Sequence, residues 1–419
     1  MAPSPAVHVR RAAVALATAA VLGVAAAPAA LADGSPSPAA PGLYGKGDPK
    51  FDGVFRQSLA FIAQHETGTS PAASAVDWLA GQQCADGGFP GYRADTSKAC
   101  DPQKDEFTDA TAAAVQGLAA VGGRAEVVKK GLDWLKAHQN DDGGWGYQAG
   151  SPTDANSTSI AIGAFAAAGQ EPAKAAVKNG KNPLDALFSF QLGCDAKEGE
   201  RGAFSYLKDK DGLRADNLAS AAAGLATRGL GYRVEPLKGS DVALKPLDCA
   251  ADDKGSPQDA PEAVDGYLSA ALAKNGGYLL PSMPGAPAKP DHGNTADAAL
   301  ALAAGGHREA AEKPLTWLRS KESGTAEWAK GNPGKLAKLI LATRAAGGDP
   351  RDFGGTDLVA ALNETGPKPE AASSSSEKKD EEKKDGDDSS GVWWFIAVLF
   401  VASVGVGFLI SGRKKKTQL

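Results

Sequence analysis

Two sets of residues in this 419-residue chain could do chemistry. The first stands at the fronts of alanine-rich runs: Asp109 and Thr111, Asn156, Asp216 and Asn217, and Asn294, with His292 just upstream. At a helix start such residues cap free N–H groups. Together with the positive end of the helix dipole, they can hold a polar or anionic part of a ligand. His292 adds an imidazole able to ligate a metal. The second set is Tyr92, Tyr147, Tyr206 and Tyr278, which lie in glycine-rich loops and offer rigid amphipathic contacts.

These residues need a scaffold that gathers several helix starts at one place, and a repeat supplies it. Asp86-Gly87-Gly88-Phe89, Asp142-Gly143-Gly144-Trp145 and Asn275-Gly276-Gly277-Tyr278 are clear copies of one block. Gly202-Ala203-Phe204 and Ala326-Glu327-Trp328 are degenerate ones. Such a period means an array of helix pairs. One helix type is amphipathic, as in Leu132-Asp133-Trp134-Leu135 and Pro314-Leu315-Thr316-Trp317-Leu318. The other, at 111–121, 157–168, 217–226 and 295–304, is mostly alanine with little charge on any side, and is expected to be buried all round. Residues 51–64 and 335–345 look like end members of this inner type. An open solenoid would need polar capping repeats. Six apolar inner helices point instead to closure, so the expected fold is all-α, an α/α toroid of about six inner and six outer helices over 51–366. The stretch 234–262 reads as an inserted surface loop.

The ends carry other signals. Residues 1–32 read as a signal peptide, with Arg10 and Arg11, an apolar stretch and a small-residue cleavage site at Ala30-Leu31-Ala32. Residues 33–50 read as a linker. Residues 367–390 read as a disordered charged stalk, too polar to bury a core. Residues 391–412 read as a single transmembrane helix, with Trp393 and Trp394 at its outer edge, and 413–419 as a basic cytoplasmic tail. The expected location is extracytoplasmic, anchored in the cell membrane. Leu362-Asn363-Glu364-Thr365-Gly366 faintly resembles a cell-wall sorting signal. Four cysteines fit an oxidising exterior, and of three connectivities Cys84–Cys100 and Cys194–Cys249 are expected, because each pair flanks one loop. With 45 basic and 50 acidic residues and no basic stripe, nucleic acid is not an expected partner.

The segment from Lys130-Gly131-Leu132-Asp133-Trp134 through Gln139 to Asp142-Gly143-Gly144-Trp145 closely resembles the QW motif of the squalene-cyclase and prenyltransferase repeat superfamily. Weaker forms extend over 51–350. The resemblance implies a toroid with a ligand pocket at the end where the inner helices begin. Cyclases of this kind need an acid in an aromatic cavity, yet no Asp-x-Asp-Asp lies inside the array. Asp385-Gly386-Asp387-Asp388 falls in the charged stalk, and Asp252-Asp253 in the insertion. The zinc-binding Asp-x-Cys of protein prenyltransferases is also missing: the matching starts read Asp109-Ala110-Thr111 and Asp216-Asn217-Leu218. Asp109 to Val115 and Asn294 to Leu300 look like the inner-helix starts of the vitamin B12 carriers transcobalamin and intrinsic factor, which share the toroid without catalysis.

The expected function is therefore non-catalytic capture of a small molecule at the cell surface, a corrinoid-like or other amphipathic nutrient passed to a membrane transporter, with no resident cofactor. A corrinoid is the one cofactor-like ligand the resemblance implies. Two alternatives stand beside it, a terpenoid cyclase or prenyltransferase-like enzyme and a protein-interaction scaffold.

Overall fold

A computed structural model describes residues 41–249, 259–283 and 285–370. The signal segment 1–32, the segment 371–419 with its expected membrane helix and tail, and the Asp252-Asp253 and Asp385–Asp388 motifs lie outside the described residues. Among the described residues no helix is long and apolar enough to cross a membrane.

Fourteen α-helices occur among the described residues. In chain order they are α1 (Gly53–Glu66), α2 (Ala73–Gly81), α3 (Thr108–Val121), α4 (Ala125–Ala137), α5 (Ala155–Ala167), α6 (Pro172–Ala175) and α7 (Pro183–Phe188). Then come α8 (Asn217–Ala226), α9 (Ala260–Lys274), α10 (His292–Ala304), α11 (Arg308–Arg319), α12 (Thr325–Ala329), α13 (Pro333–Ala345) and α14 (Leu358–Asn363). Among the described residues, isolated bridges occur and no strand does.

The alanine-rich helices form a ring. α1 packs on α3, α3 on α5, α5 on α8, α8 on α10 and α10 on α13, and α13 returns to α1. Against them lie α2, α4, α7, α9, α11 and α14, each on the inner helix that precedes it. Small residues allow this closeness. A Cβ on Gly117 of α3 would stand 2.9 Å from Ser58 Cα and 3.0 Å from Ser58 O of α1. Gly117→Ala should therefore cost about 1–3 kcal/mol of stability despite alanine's better helix propensity. Urea unfolding measures this, and a gain in stability would contradict such close packing.

The glycine block proves to be a device that ties three elements together. The N–H groups of Phe89, Trp145, Phe204 and Leu279 donate to the hydroxyls of Thr111, Thr158, Ser220 and Thr295, at 2.9, 3.1, 2.9 and 2.9 Å. Each accepting hydroxyl lies in the first turns of an inner helix. One glycine before it, Gly87 (φ 108°) or Gly143 (φ 91°), lies so close to the backbone of the next outer helix that a Cβ there would strike a carbonyl. The outer-helix glutamine completes the tie. Gln139 Nε2 donates to Gly143 O at 2.7 Å and to Ala176 O at 3.1 Å, and Gln83 bonds Gly87 O and Val127 O at 3.0 and 2.9 Å.

This geometry corrects the repeat alignment. In the copy at 275–278 the buried, bonded residue is Leu279, one place after Tyr278, and Gly277 (φ 106°) takes the glycine role. Ala326-Glu327-Trp328 is not a loop copy but part of α12. A further copy is Gly42-Leu43-Tyr44, inside the stretch expected to be linker. Gly42 has φ 100°, and Tyr44 N–H donates to Gln57 Oε1 of α1 at 2.8 Å. Leu43 and Tyr44 are buried, so this end of the expected linker belongs to the ring.

Tyr44 also makes the seam where the ring closes. Its ring meets Phe61 edge-on at 6.0 Å, and a side chain at Gly366 would collide with it. Gly45 N–H donates to Thr365 O at 2.7 Å, Gln64 Nε2 to Asn363 Oδ1 at 2.8 Å, and Ser70 bridges Glu370. The sorting-like segment 362–366 is thus folded into the seam, with Leu362 fully buried.

Both expected disulfides form, Cys84–Cys100 and Cys194–Cys249. The described part of the insertion is not a free surface loop. Leu237 N–H donates to Ala345 O at 2.9 Å and Val242 N–H to Gly306 O at 3.1 Å, which straps it across the C-terminal ends of α13 and α10. Beneath the strap a charged cluster is buried. Arg228 Nη2 lies 2.6 Å from Asp265 Oδ2, His307 Nε2 lies 3.2 Å from the same oxygen, and His307 Nδ1–H donates to Val242 O at 2.7 Å.

Candidate functional site

The inner helices all begin at one end of the ring, and their caps are mostly aspartates. Asp154, Asp216 and Asp291 accept the N–H of Ser157, Ala219 and Asn294 at 2.7, 2.9 and 3.0 Å. α3 lacks such a cap, with Phe107 in the cap position. Asp109 stands in its first turn.

The sequence-predicted residues divide here. Asp109 and Asn156 come together, Asn156 Nδ2 donating to Asp109 Oδ2 at 3.2 Å. The other oxygen, Asp109 Oδ1, is enclosed and makes no well-formed hydrogen bond. Burial, with the Asp154 carboxylate close by, pushes the Asp109 carboxyl up to about 7. Tyr206 joins them: burial raises its hydroxyl, and the carboxylates of Asp154, Asp109 and Asp216 act in the same direction. Tyr147 is half exposed at the lip, its ring 4.9 Å from Phe107. Beside it lies a groove of about 500 Å³ that runs between Phe51 and Cys100.

Five other candidates are occupied by the fold. Thr111 is buried and accepts the Phe89 bond. Asn217 donates to Leu280 O and accepts from the Tyr267 hydroxyl, at 2.7 and 2.8 Å. Asn294 is bound to its own cap, Asp291, at 2.8 Å. His292 lies between Trp317 and Trp328, each ring 5.1 Å away, and its Nε2–H donates to Ser323 O at 2.6 Å. Asp216 serves as the α8 cap, its carboxyl raised by burial.

The ring also brings in residues that the sequence pattern did not single out. The loop after α8 turns into the ring, where Tyr232 N–H donates to Gln116 Oε1 of α3 at 3.0 Å. Its ring meets Phe55 of α1 edge-on at 6.4 Å. Burial raises the Tyr232 hydroxyl well above its ordinary value, and the Asp297 and Asp109 carboxylates add to this. Asp297 of α10 is held by Lys338 of α13, both side chains mostly buried. Burial raises the Asp297 carboxyl, and the Lys338 ammonium opposes this. One signal was available: Asp297 is the single charge in an otherwise apolar and small-residue stretch of α10 after Asn294.

The site is therefore a mouth in which Asp109, Asn156, Tyr206, Tyr232, Asp297 and Lys338 converge from four inner helices and two loops. The Asp109 carboxyl, raised to about 7 by burial and standing near tyrosine hydroxyls, can accept, donate or move a proton. As for metals, the grouping close enough among the described residues is Cys84, Cys100 and Glu106, and its two sulfurs are joined in the disulfide. Thiolate ligation is excluded there.

Glu106 has a structural task instead. Its Oε2 accepts Trp134 Nε1–H at 2.7 Å, while Trp145 Nε1–H donates to Leu135 O at 2.7 Å. Burial, with Asp86 nearby, pushes Glu106 up to about 7. Glu106 and Asp109 thus hold protons more tightly folded than unfolded. Their contribution is complete below the unfolded carboxylate range and is lost as pH rises through about 7. Stability should fall by about 1–3 kcal/mol per group between pH 4.5 and 7.5, and Glu106→Gln with Asp109→Asn should flatten the slope. Urea midpoints across that range test this. A slope of the opposite sign, or one the double variant retains, would be incompatible with these two protons.

Comparison with known proteins agrees with the sequence resemblance. Residues 104–181 match the squalene-hopene cyclase C-terminal domain. That stretch holds α3, α4, α5 and the Gln139–Trp145 tie. No curated protein matches the chain. Among solved structures, one similar chain is a protein from Actinoplanes, 15% identical, covering 70% of this chain and 90% of that one, with a TM-score of 0.43. A wild-type glycosidase is 13% identical, covering 73% and 91%, with a TM-score of 0.42. A type II terpene cyclase from Scytonema in complex with geranylgeranyl dihydroxybenzoate is 12% identical, covering 70% and 87%, with a TM-score of 0.41. Likenesses of this size transfer no activity to this chain.

Proposed function

We propose that the mouth of the ring binds a small molecule bearing hydrogen-bond donors, such as a polyhydroxylated or amine-bearing nutrient, without covalent chemistry. The observation that carries this reading is the enclosed Asp109 carboxyl, whose Oδ1 makes no well-formed hydrogen bond and has only the Ser157 hydroxyl acting on it from within the protein. A buried acceptor left unmatched costs about 1–3 kcal/mol, and a ligand donor would recover it. Asn156, Tyr206 and Tyr232 surround that point with groups that can either donate or accept. A corrinoid ligated through His292 is not favoured, since that imidazole is stacked and bonded to Ser323. In this reading the segment 391–412 anchors the protein at the outer face of a membrane, and the ligand passes to a membrane transporter.

The test is thermal shift and calorimetry of the purified protein against sugars, polyols, amines and corrinoids. One class should bind, and Asp109→Asn should weaken it by about tenfold, as expected for one lost charge-assisted bond. No binding from any class, or binding that Asp109→Asn leaves intact, would remove the support for the mouth.

A second reading, an enzyme of the cyclase or hydrolase kind, draws on one feature. A carboxyl at about 7 is half protonated at neutral pH and so placed to act as a general acid. Conversion of the bound compound, at a rate that Asp109→Asn abolishes, would favour this reading over capture.

A further inference from the structure

A second cavity, of about 830 Å³, lies away from the mouth on the outer flank of α13. It is bordered by the last outer helix, α14, by α11 and α12, and by residues 45–47. The cavity floor is formed by edges of Leu318, Leu336, Leu339, Phe353 and Leu358.

The rim is basic. Lys46, Arg319, Lys321 and Lys330 line it against a single carboxylate, Glu364. The whole chain has the opposite balance, 45 basic residues to 50 acidic. Arg319 is neutralised by Glu312 through bonds of 2.5 and 3.2 Å, and Lys330 lies 3.6 Å from Glu327. Lys46 and Lys321 have no ion-pair partner among the described residues. Two unneutralised ammonium groups thus stand over an apolar floor, and the volume is that of a small-molecule site.

We propose that this cavity binds an anionic amphiphile, a single hydrocarbon chain ending in a carboxylate or phosphate. The head group meets Lys46 and Lys321, where charge is complementary. The tail lies along Leu336 and Leu358, and its burial supplies the larger share of the affinity. The site is independent of the mouth, because Asp109 and Tyr232 lie on the inner side of the ring.

Calorimetry of the full-length protein with laurate and with dodecyl phosphate, below their micellar concentrations, tests the proposal. Inorganic phosphate and dodecyltrimethylammonium serve as probes of head and tail alone. One equivalent of each anionic amphiphile should bind, about tenfold or more tighter than either control. The double variant Lys46→Glu, Lys321→Glu should lose about tenfold or more in affinity with its unfolding midpoint unchanged, since both lysines are exposed. Ala361→Trp, which fills the groove, should also weaken binding, and Asp109→Asn should not. Equal affinity for the trimethylammonium compound, or full affinity in the charge-reversed variant, would overturn the assignment. So would binding to phosphatidylglycerol vesicles with none to the monomeric amphiphiles, which would mean a membrane surface and not an enclosed chain.

Discussion

Tyr44→Ala is expected to destabilise the protein by about 3–5 kcal/mol, the range for deleting a fully buried aromatic side chain. Tyr44 is 0% exposed. The substitution removes the edge-on contact with Phe61, the hydroxyl bond to Gln64 and the ring that packs on Gly366. The backbone bond to Gln57 can survive, so the loss measures packing at the seam. Tyr44→Phe isolates the hydroxyl: its bond to Gln64 is long, 3.3 Å, and its removal should cost only about 1 kcal/mol. Urea unfolding of both variants provides the check. A cost below about 1 kcal/mol for Tyr44→Ala would mean that residues 42–47 are not part of the cooperative unit.

Asp265→Ala should be comparably severe, at about 3–5 kcal/mol, for an electrostatic reason. Asp265 is fully buried and is the carboxylate nearer to both Arg228 and His307, at 2.6 and 3.2 Å. Its removal leaves Arg228 with Glu262 at 3.5 Å and His307 with Glu262 at 3.6 Å, neither a close pair. His307 also holds the strap through Val242 O, so limited proteolysis between residues 237 and 249 should speed up in this variant. Burial pulls the His307 imidazole down, but Asp265, the Val242 carbonyl and Glu262 together hold it above its ordinary value. Its share of stability is present below the unfolded histidine range and lost as pH rises through the folded value. In Asp265→Ala that dependence should shrink. An unchanged strap and unchanged pH dependence would show that the cluster is not what holds the insertion.

Much of the ring was legible in the sequence because its cause is local. The inner helices announce themselves as alanine runs bounded by glycines, and the outer ones by patterns such as Leu132-Asp133-Trp134-Leu135. The cysteine pairs were legible because each flanks one loop. The Gly-Gly-aromatic pattern misled by one residue at Tyr278, since what the ring selects is a positive-φ glycine followed two residues on by a buried apolar group. That rule fits Gly277 and Leu279 equally well. It also fits Gly42 and Tyr44, which no preceding helix advertised. Of the mouth, the sequence showed Asp109 and Asn156, which stand at helix starts, and Tyr206, which lies in a glycine-rich loop. It could not show Tyr232, Asp297 and Lys338, because only ring closure brings them near Asp109. Thr111, Asn217 and Asn294 have the right residue types at the right places, but the fold uses their hydrogen bonds.

The seam has one more consequence. Because residues 42–45 and 362–366 lie side by side, the six helix pairs form a bracelet whose clasp happens to sit beside the first pair. The order of the pairs along the chain is then a matter of where the bracelet is cut. Joining 42 to 366 with a short linker and opening the chain at the insertion should preserve every neighbour relation in the ring. In the natural order, a pull applied through both ends meets the clasp first, and the six pairs behind it bear no load until it opens.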